Sequence, residues 1–175
     1  MSPAKNKSKS TPKTHPQNHH HQKAEIIFPH LHNDILASLN GSITSAPYFK
    51  HITGSNAAHH SNEYKTNIMA TFLCTNTSCK QRGWGSKKVA IRILGYRPGN
   101  GYNAVVYNQR CKTCERLGSI TIDKKSYIER VTYRLKRWAG VEVEKPVFVR
   151  KQGPEHERDL CEGCKRGVCS WGMGG

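Results

Sequence analysis

Phe72-Leu73-Cys74-Thr75-Asn76-Thr77-Ser78-Cys79 and, further along, Gln109-Arg110-Cys111-Lys112-Thr113-Cys114 are the stretches on which the fold turns. Each cysteine pair follows a run with β character. Ahead of the first pair, Ile68, Ala70 and Phe72 alternate with Met69, Thr71 and Leu73, the pattern of a strand beginning near Asn67 with both faces partly covered. A basic turn, Lys80 to Ser86, follows Cys79. Val89, Ile91 and Ile93 then alternate with Ala90, Arg92 and Leu94 as a second strand. Pro98-Gly99-Asn100-Gly101 is a turn signal, and Asn-Gly favours the two-residue hairpin. The return strand, Tyr102 to Arg110, ends on Cys111. Leu117 to Ile122, leaving Cys114, is predicted to pair back on that strand as another hairpin. Pairing of the two middle strands brings both cysteine tips to one end of the sheet. Four thiolates can then converge on one tetrahedral ion, about 2.3 Å from each sulfur. This arrangement is a zinc ribbon.

A second ligand group closes the chain: His156, Cys161, Cys164 and Cys169. Seven cysteines and His156 supply eight donors, a full complement for two tetrahedral zinc ions. Gly163 and Gly167 allow the tight turns of a cysteine knuckle. The grouping of the pairs between the two ions stays open at this point. Disulfides are the competing use of the thiols, but the cysteine count is odd and the N-terminus has no apolar secretory segment. No stretch approaches the ~18 apolar residues that span a bilayer. The expectation is an intracellular, cytoplasmic protein without stable membrane insertion.

Only 35% of the residues are hydrophobic, so the core is thin and metal is the natural staple. The formal charge is +16. Two zinc ions and seven thiolates would leave it roughly +13, which still favours polyanions such as RNA.

Around the cysteines the reading is simpler. Residues 1–23 form a polar tail with lysines and a His19–His21 run, too poor in apolar residues to fold. Ile26 to Phe28 are a short apolar run, and Pro29 interrupts it. Asn33 or Asp34 caps a short helix carrying Ile35, Leu36 and Leu39, stopped by Asn40-Gly41. His30 and His32 are surface or capping residues, and residues 41–64 are loop. Ser126 and Glu129 are a capping-box pair opening a helix with Ile128, Val131, Leu135 and Trp138 on one stripe, ended by Gly140. Val141 to Glu144 alternates like a short strand, and Pro146 and Pro154 mark loop. The whole is a small α+β fold. A zinc-ribbon-like antiparallel sheet (66–122), a packed amphipathic helix (126–139) and a C-terminal Cys/His zinc module (156–169) make one domain over 24–172.

Aromatic residues beside cations suggest nucleic-acid contact, Trp84 beside Arg82 and Lys87, Tyr96 beside Arg97, and Trp138 beside Arg137, with Lys88 and the helix arginines Arg130 and Arg134 as further candidate contacts. The solvated face of a packed helix is the favoured reading of the arginines, and a phosphate-contacting stripe is the alternative. Glu155, Glu157, Asp159 and Glu162 sit near the terminal group as solvated carboxylates, with no acid–base pair among them.

These motifs together resemble a known family. They are Phe72-Leu73-Cys74, Gly83-Trp84 through Ile91, Tyr107-Asn108-Gln109-Arg110-Cys111 with Cys114, Tyr127-Ile128-Glu129-Arg130, and Leu160-Cys161-Glu162-Gly163-Cys164 with Cys169. The likeness, spanning Phe28 to Ser170, is to the 3CxxC-type zinc-binding domain. That family includes the vertebrate receptor-transporting proteins and many soluble fungal proteins, and this chain looks closer to the latter. The resemblance implies zinc at Cys74, Cys79, Cys111, Cys114, Cys161, Cys164 and Cys169, with His156 at the family's histidine position. It also implies receptor trafficking or RNA roles, as in the vertebrate relatives. The first cysteine pair departs from the family in having four intervening residues, and no transmembrane anchor follows. The function expected is a structural-zinc module acting on a protein or RNA partner. A soluble adaptor for a membrane receptor is the alternative. A zinc or redox enzyme follows only if the terminal site keeps an open position.

Overall fold

A computed structural model describes residues 23–52, 59–144 and 156–169. The basic tail as far as Gln22, the prolines Pro146 and Pro154, and Glu155 lie outside the described residues. The fold is small α+β, built on a curled sheet of six strands: β1 Glu25–Ile27, β2 Tyr48–Phe49, β3 Asn62–Cys74, β4 Gly83–Tyr96, β5 Gly101–Tyr107 and β6 Gly118–Ile122. The order across the sheet is β1-β5-β4-β3-β6, antiparallel throughout, with β2 alone lying parallel to the start of β5. Among the described residues no helix is long and apolar enough to cross a membrane.

The alternation in β3 is one-sided. Ile68, Ala70 and Phe72 are buried, whereas Met69 and Leu73 are exposed (42% and 65%). The expectation of two partly covered faces fails there. Cover on both faces is found instead in β4 and β5, where Ala90, Leu94, Val105 and Tyr107 are buried as well as Ile91, Ile93 and Val106. Two helices, α1 His32–Leu39 and α2 Lys124–Trp138, cover one face through Ile35, Leu39, Tyr127, Val131 and Leu135. The terminal module covers part of the other, with Val168 seated among Ala90, Val105 and Tyr107.

Several local expectations shift. β3 starts at Asn62 and a short β2 falls inside the expected 41–64 loop, while β4 already begins at Gly83 within the expected basic turn. The β4–β5 connection is four residues, 97–100, with Tyr96 facing Gly101 and a cis Arg97–Pro98 bond. Gly101 is therefore a strand residue rather than half of an Asn-Gly turn. A Cβ there would come within 2.9 Å of the Tyr48 ring, so glycine is what lets β2 lie against β5. Asp123, not Ser126, caps α2: its carboxylate accepts the Ser126 amide at 2.7 Å. The Ser126 hydroxyl instead accepts the Met69 amide at 3.1 Å, tying α2 to β3. Gly140 (φ +79°) ends α2 as expected, its amide and that of Val141 returning to the Arg137 and Lys136 carbonyls. No side chain caps α1, which continues a 3-10 turn at Pro29–Leu31. Val141–Glu144 forms no strand.

The largest correction concerns β6. It pairs with β3, from Ala70↔Ile122 to Cys74↔Gly118, and not with β5. Only an isolated Arg110↔Leu117 bridge remains of the expected hairpin. The edge that β5 would have offered is taken by β1, which pairs with Val105, Val106 and Tyr107, and it continues as Gln109, which pairs with Cys161. Gly118 touches both sides of the curl: its amide donates to the Gln109 carbonyl at 2.9 Å, and Asn108 Nδ2 donates to its carbonyl at 3.0 Å. A Cβ on Gly118 would fall 2.9 Å from the Trp84 ring and 3.1 Å from Phe72, so the crossing requires glycine.

Candidate metal centres

Backbone turns set the four ribbon cysteines. Cys74 ends β3, and its amide donates to the Arg82 carbonyl at 2.9 Å, closing the first knuckle. Inside it the Cys79 amide donates to Asn76 O at 3.0 Å and the Ser78 amide to Asn76 Oδ1 at 3.2 Å. The extra residues between Cys74 and Cys79 are thus absorbed in an asparagine turn. The second knuckle closes through Cys111 N–H to Arg116 O and Glu115 N–H to Cys111 O, both 2.8 Å, with Glu115 left-handed at φ 57°. Because β6 leaves this knuckle alongside β3, the two pairs meet. Cys74 Sγ lies 3.5 Å from Cys114 Sγ, and Cys79 Sγ lies 3.8 Å from Cys111 Sγ.

The terminal set gathers around a short helix, α3 Glu162–Lys165: Cys164 lies on it, His156 and Cys161 precede it, and Cys169 follows the turn after it. The Gly167 amide returns to the Cys164 carbonyl at 3.0 Å with φ +64°, a left-handed conformation that favours glycine. Gly163 serves differently from its expected role in a turn. It sits flat on β4, where a Cβ would meet Ala90 Cβ at 2.5 Å. Cys161 Sγ is 3.6 Å from Cys169 Sγ, and His156 Nε2 is 3.1 Å from Cys164 Sγ and 3.9 Å from Cys169 Sγ.

In each tetrad the candidate donor atoms all lie within 4.8 Å of one another. A tetrahedral ion with Zn–S near 2.3 Å sets sulfurs about 3.8 Å apart, and a sulfur and an imidazole nitrogen about 3.6 Å apart. The sulfur–sulfur separations of 3.5–3.8 Å lie at or just below the first value, and the His156 separations of 3.1 and 3.9 Å lie either side of the second. They exceed a disulfide's ~2.05 Å, and all seven thiols are free. The donor sets fit zinc: Cys74, Cys79, Cys111 and Cys114 in one, His156, Cys161, Cys164 and Cys169 in the other. The family whose profile is described as a zinc-binding domain, the 3CxxC zinc ribbon, matches residues 67–167, more than half of the chain. The chain belongs to the 3CxxC zinc-binding family. No curated protein and no solved structure matches it.

The thiols of this 3CxxC domain are unequal. The Arg116 amide draws Cys114 down to about 7, and the bond from Cys169 draws Cys161 down to about 5. Burial pushes Cys74 up to about 12 and also raises Cys79 and Cys164, while Cys161 raises Cys169. Cys114 and Cys161 are thus the more readily ionised of the shifted thiols. A bound cation would offset the repulsion that ionising Cys74, Cys79, Cys164 and Cys169 creates.

The expected nucleic-acid contacts are scattered. Trp84 is stacked on Phe72, centroids 5.1 Å apart and planes 8° from parallel, and donates Nε1–H to Gln109 Oε1 at 3.4 Å. Its ring is engaged within the fold. Lys87 is exposed and Lys88 half-buried on β4. Arg134 lies over the Tyr64 ring at 3.2 Å, Arg130 Nε donates to Asn67 O at 3.4 Å, and Arg137 is exposed.

Three residues escaped the sequence reading. Asn108 is buried and joins Lys23 O to Gly118 O, and Gln109 holds Trp84, Ser86 and Lys88. Glu162 is not solvated but 4% exposed. Arg110 and Arg166 outweigh the cost of its burial and hold its carboxyl below the usual range. The basic side chains adjoining Glu162, Arg110 before Cys111 and Lys165-Arg166 after Cys164, were the available signal.

Proposed function

We propose that the domain is a non-enzymatic structural-zinc module that presents a basic surface to RNA. The observation carrying this reading is the donor count: each tetrad offers four ligands, so neither keeps the open position that zinc-water chemistry requires. The zinc ions would close the knuckles and hold the curl, and the surface would do the work. Around the ribbon tip, Lys80, Arg82 and Arg116 are exposed and form no ion pair among the described residues. Lys87 extends this surface along β4. With Trp84 packed inside, recognition rests on phosphates more than on base stacking.

Filter binding of single-stranded RNA across a salt series tests this. Affinity should fall with salt. The triple variant Lys80→Ala, Arg82→Ala, Arg116→Ala should flatten the logarithmic slope by about 2, three phosphate contacts at about 0.7 each. Absence of binding at low salt rejects the RNA reading and leaves an acidic protein as the partner to seek. Two zincs per chain with no reactive thiol supports the closed-site reading. A labile ion with free thiols rejects it.

A further inference from the structure

The two tetrads lie on neighbouring backbones. Gln109, two residues before Cys111, forms an antiparallel bridge with Cys161. Beside it the Arg110 amide donates to the Leu160 carbonyl at 2.7 Å, and the Glu162 amide donates to the Asn108 carbonyl at 3.1 Å. A ribbon ligand and a terminal ligand are therefore placed by one short ladder.

The side chains repeat the link. Arg110 Nε donates to Glu162 Oε1 at 2.6 Å, and the Glu162 side chain is only 5% exposed. Arg110 Nη1 reaches on to the Glu115 carbonyl at 3.0 Å, inside the turn that follows Cys114. From the other side Arg166 Nη1 donates to Glu162 Oε2 at 2.9 Å, Lys165 lies at 3.4 Å, and Arg166 Nε pairs with Glu25 of β1 at 2.9 Å. One buried carboxylate next to Cys161 thus braces the knuckle of Cys111 and Cys114.

The charge at this point is unusual. With zinc bound, a four-cysteine site carries about −2 and a three-cysteine, one-histidine site about −1. A third anion between them is tolerated only because Arg110, Lys165 and Arg166 surround it. The terminal module's own geometry does not call for this carboxylate, because Cys161, Cys164 and Cys169 are positioned by backbone turns. Its bond to Arg110 leads across to the ribbon. An exposed pair, Lys112 with Glu157 at 2.7 Å, joins the same two segments but is open to solvent and weak by comparison.

We infer that Arg110 and Glu162 are positioning residues that couple the two zinc centres, so that filling or emptying one changes the zinc affinity of the other. This rests on the two-zinc reading. Metal at the terminal tetrad fixes Leu160–Glu162, which fixes Arg110, which holds the second ribbon knuckle in ligating form. By linkage the effect is equal in both directions.

The test uses the full-length chain and zinc competition with a chromogenic chelator. Cys164→Ser disables the terminal tetrad, and the zinc affinity of the ribbon is then read. The expected loss is about tenfold, the scale of an outer-shell bond to a ligand segment. In a Glu162→Gln background the same Cys164→Ser change should cost less than about twofold, whereas a Glu157→Gln background should keep the tenfold effect. Ribbon affinity indifferent to Cys164→Ser overturns the coupling. An undiminished loss in the Glu162→Gln background overturns its assignment to this pair. Should the cysteine variant fail to fold, native mass spectrometry of half-loaded chain replaces it. Glu162→Gln should raise the one-zinc species relative to wild type, and an unchanged share overturns the inference. A wild-type chain that binds other than two zincs defeats the two-zinc reading itself, a separate result.

Discussion

Gly163→Ala concentrates the packing logic of the terminal module in one methyl group. A Cβ at this position falls 2.5 Å from Ala90 Cβ, 3.1 Å from Cys169 Sγ and 3.4 Å from Tyr107 Cβ. Carbon atoms rest about 3.5–4.0 Å apart, so the first contact must open by about 1 Å. Ala90 cannot supply that movement. It is fully buried on β4, which is paired on both sides, to β3 and to β5. The displacement therefore falls on α3, which carries Cys164 and is flanked by Cys161. Overpacking of this kind costs ~1–3 kcal/mol, and the rigid partner puts Gly163→Ala near the upper end. Shifting two ligands by such a distance also loosens a site whose bonds are only about 2.3 Å long. Denaturant unfolding in zinc-buffered solution, with zinc stoichiometry measured in parallel, should show a lower midpoint and earlier loss of the terminal ion. Gly85→Ala is the control: nothing lies within 4 Å of its Cβ, and the change should stay within ~0.5 kcal/mol. Ala90→Gly, itself costing ~1 kcal/mol, should recover part of the loss when combined with Gly163→Ala. A Gly163→Ala chain with an unchanged midpoint and two zincs, or a penalty that Ala90→Gly does not relieve, would refute the reasoning.

Three further outcomes are expected. Excess chelator should abolish the cooperative thermal transition, since structural zinc contributes on the order of 10 kcal/mol to such folds; a transition surviving chelation would rule out a structural role. Trp84→Ala should destabilise by about 3 kcal/mol in denaturant unfolding because the ring stacks on Phe72 and fills the space left by Gly118; equal stability with selective loss of RNA affinity would instead make Trp84 a binding platform. Glu63→Gln probes acid sensitivity. Desolvation opposes ionisation of Glu63, but the Arg92 bond at 2.9 Å outweighs it and lowers the pKa. The wild-type advantage over Glu63→Gln should be complete above pH ~4.3 and vanish as pH falls through the lower folded value, with zinc loss common to both chains cancelling. An advantage independent of pH would show that the ion pair does not supply it.

What the sequence made legible followed from spacing and period. The cysteine pairs, the strands that lead into them and the amphipathic stripe of α2 are local patterns, and the structure assembles them as two tetrads, a sheet and a packed helix. What stayed hidden was non-local. Nothing in Gly118-Ser119-Ile120-Thr121-Ile122 distinguishes β3 from β5 as a partner. The choice depends on the second edge of β5 being taken by β1, which pairs with Val105, Val106 and Tyr107 and is extended by Cys161 at Gln109, and on Trp84 occupying the space beside Gly118. Asn100-Gly101 misled for a related reason, since a turn signal is overruled when Tyr48 packs on the glycine.

The burial of Glu162 belongs to the same class, and here the sequence did hold an unused clue. β4 and β5 carry apolar or aromatic residues at both parities, Ala90 and Leu94 beside Ile91 and Ile93, Val105 and Tyr107 beside Val106. A sheet patterned in this way requires cover on both faces. The helices α1 and α2 supply one. The terminal module, with Val168 and Gly163 against Ala90 and Tyr107, supplies cover for the other. Once Cys161 lies on that face beside Gln109, the residue after it must sit at the interface, and a carboxylate there requires the guanidinium that Arg110 provides. The polar clamp between the tetrads is therefore a consequence of the sheet's two-sided apolar pattern. This is why metal loading at the terminal module bears on the ribbon rather than on a separate appendage.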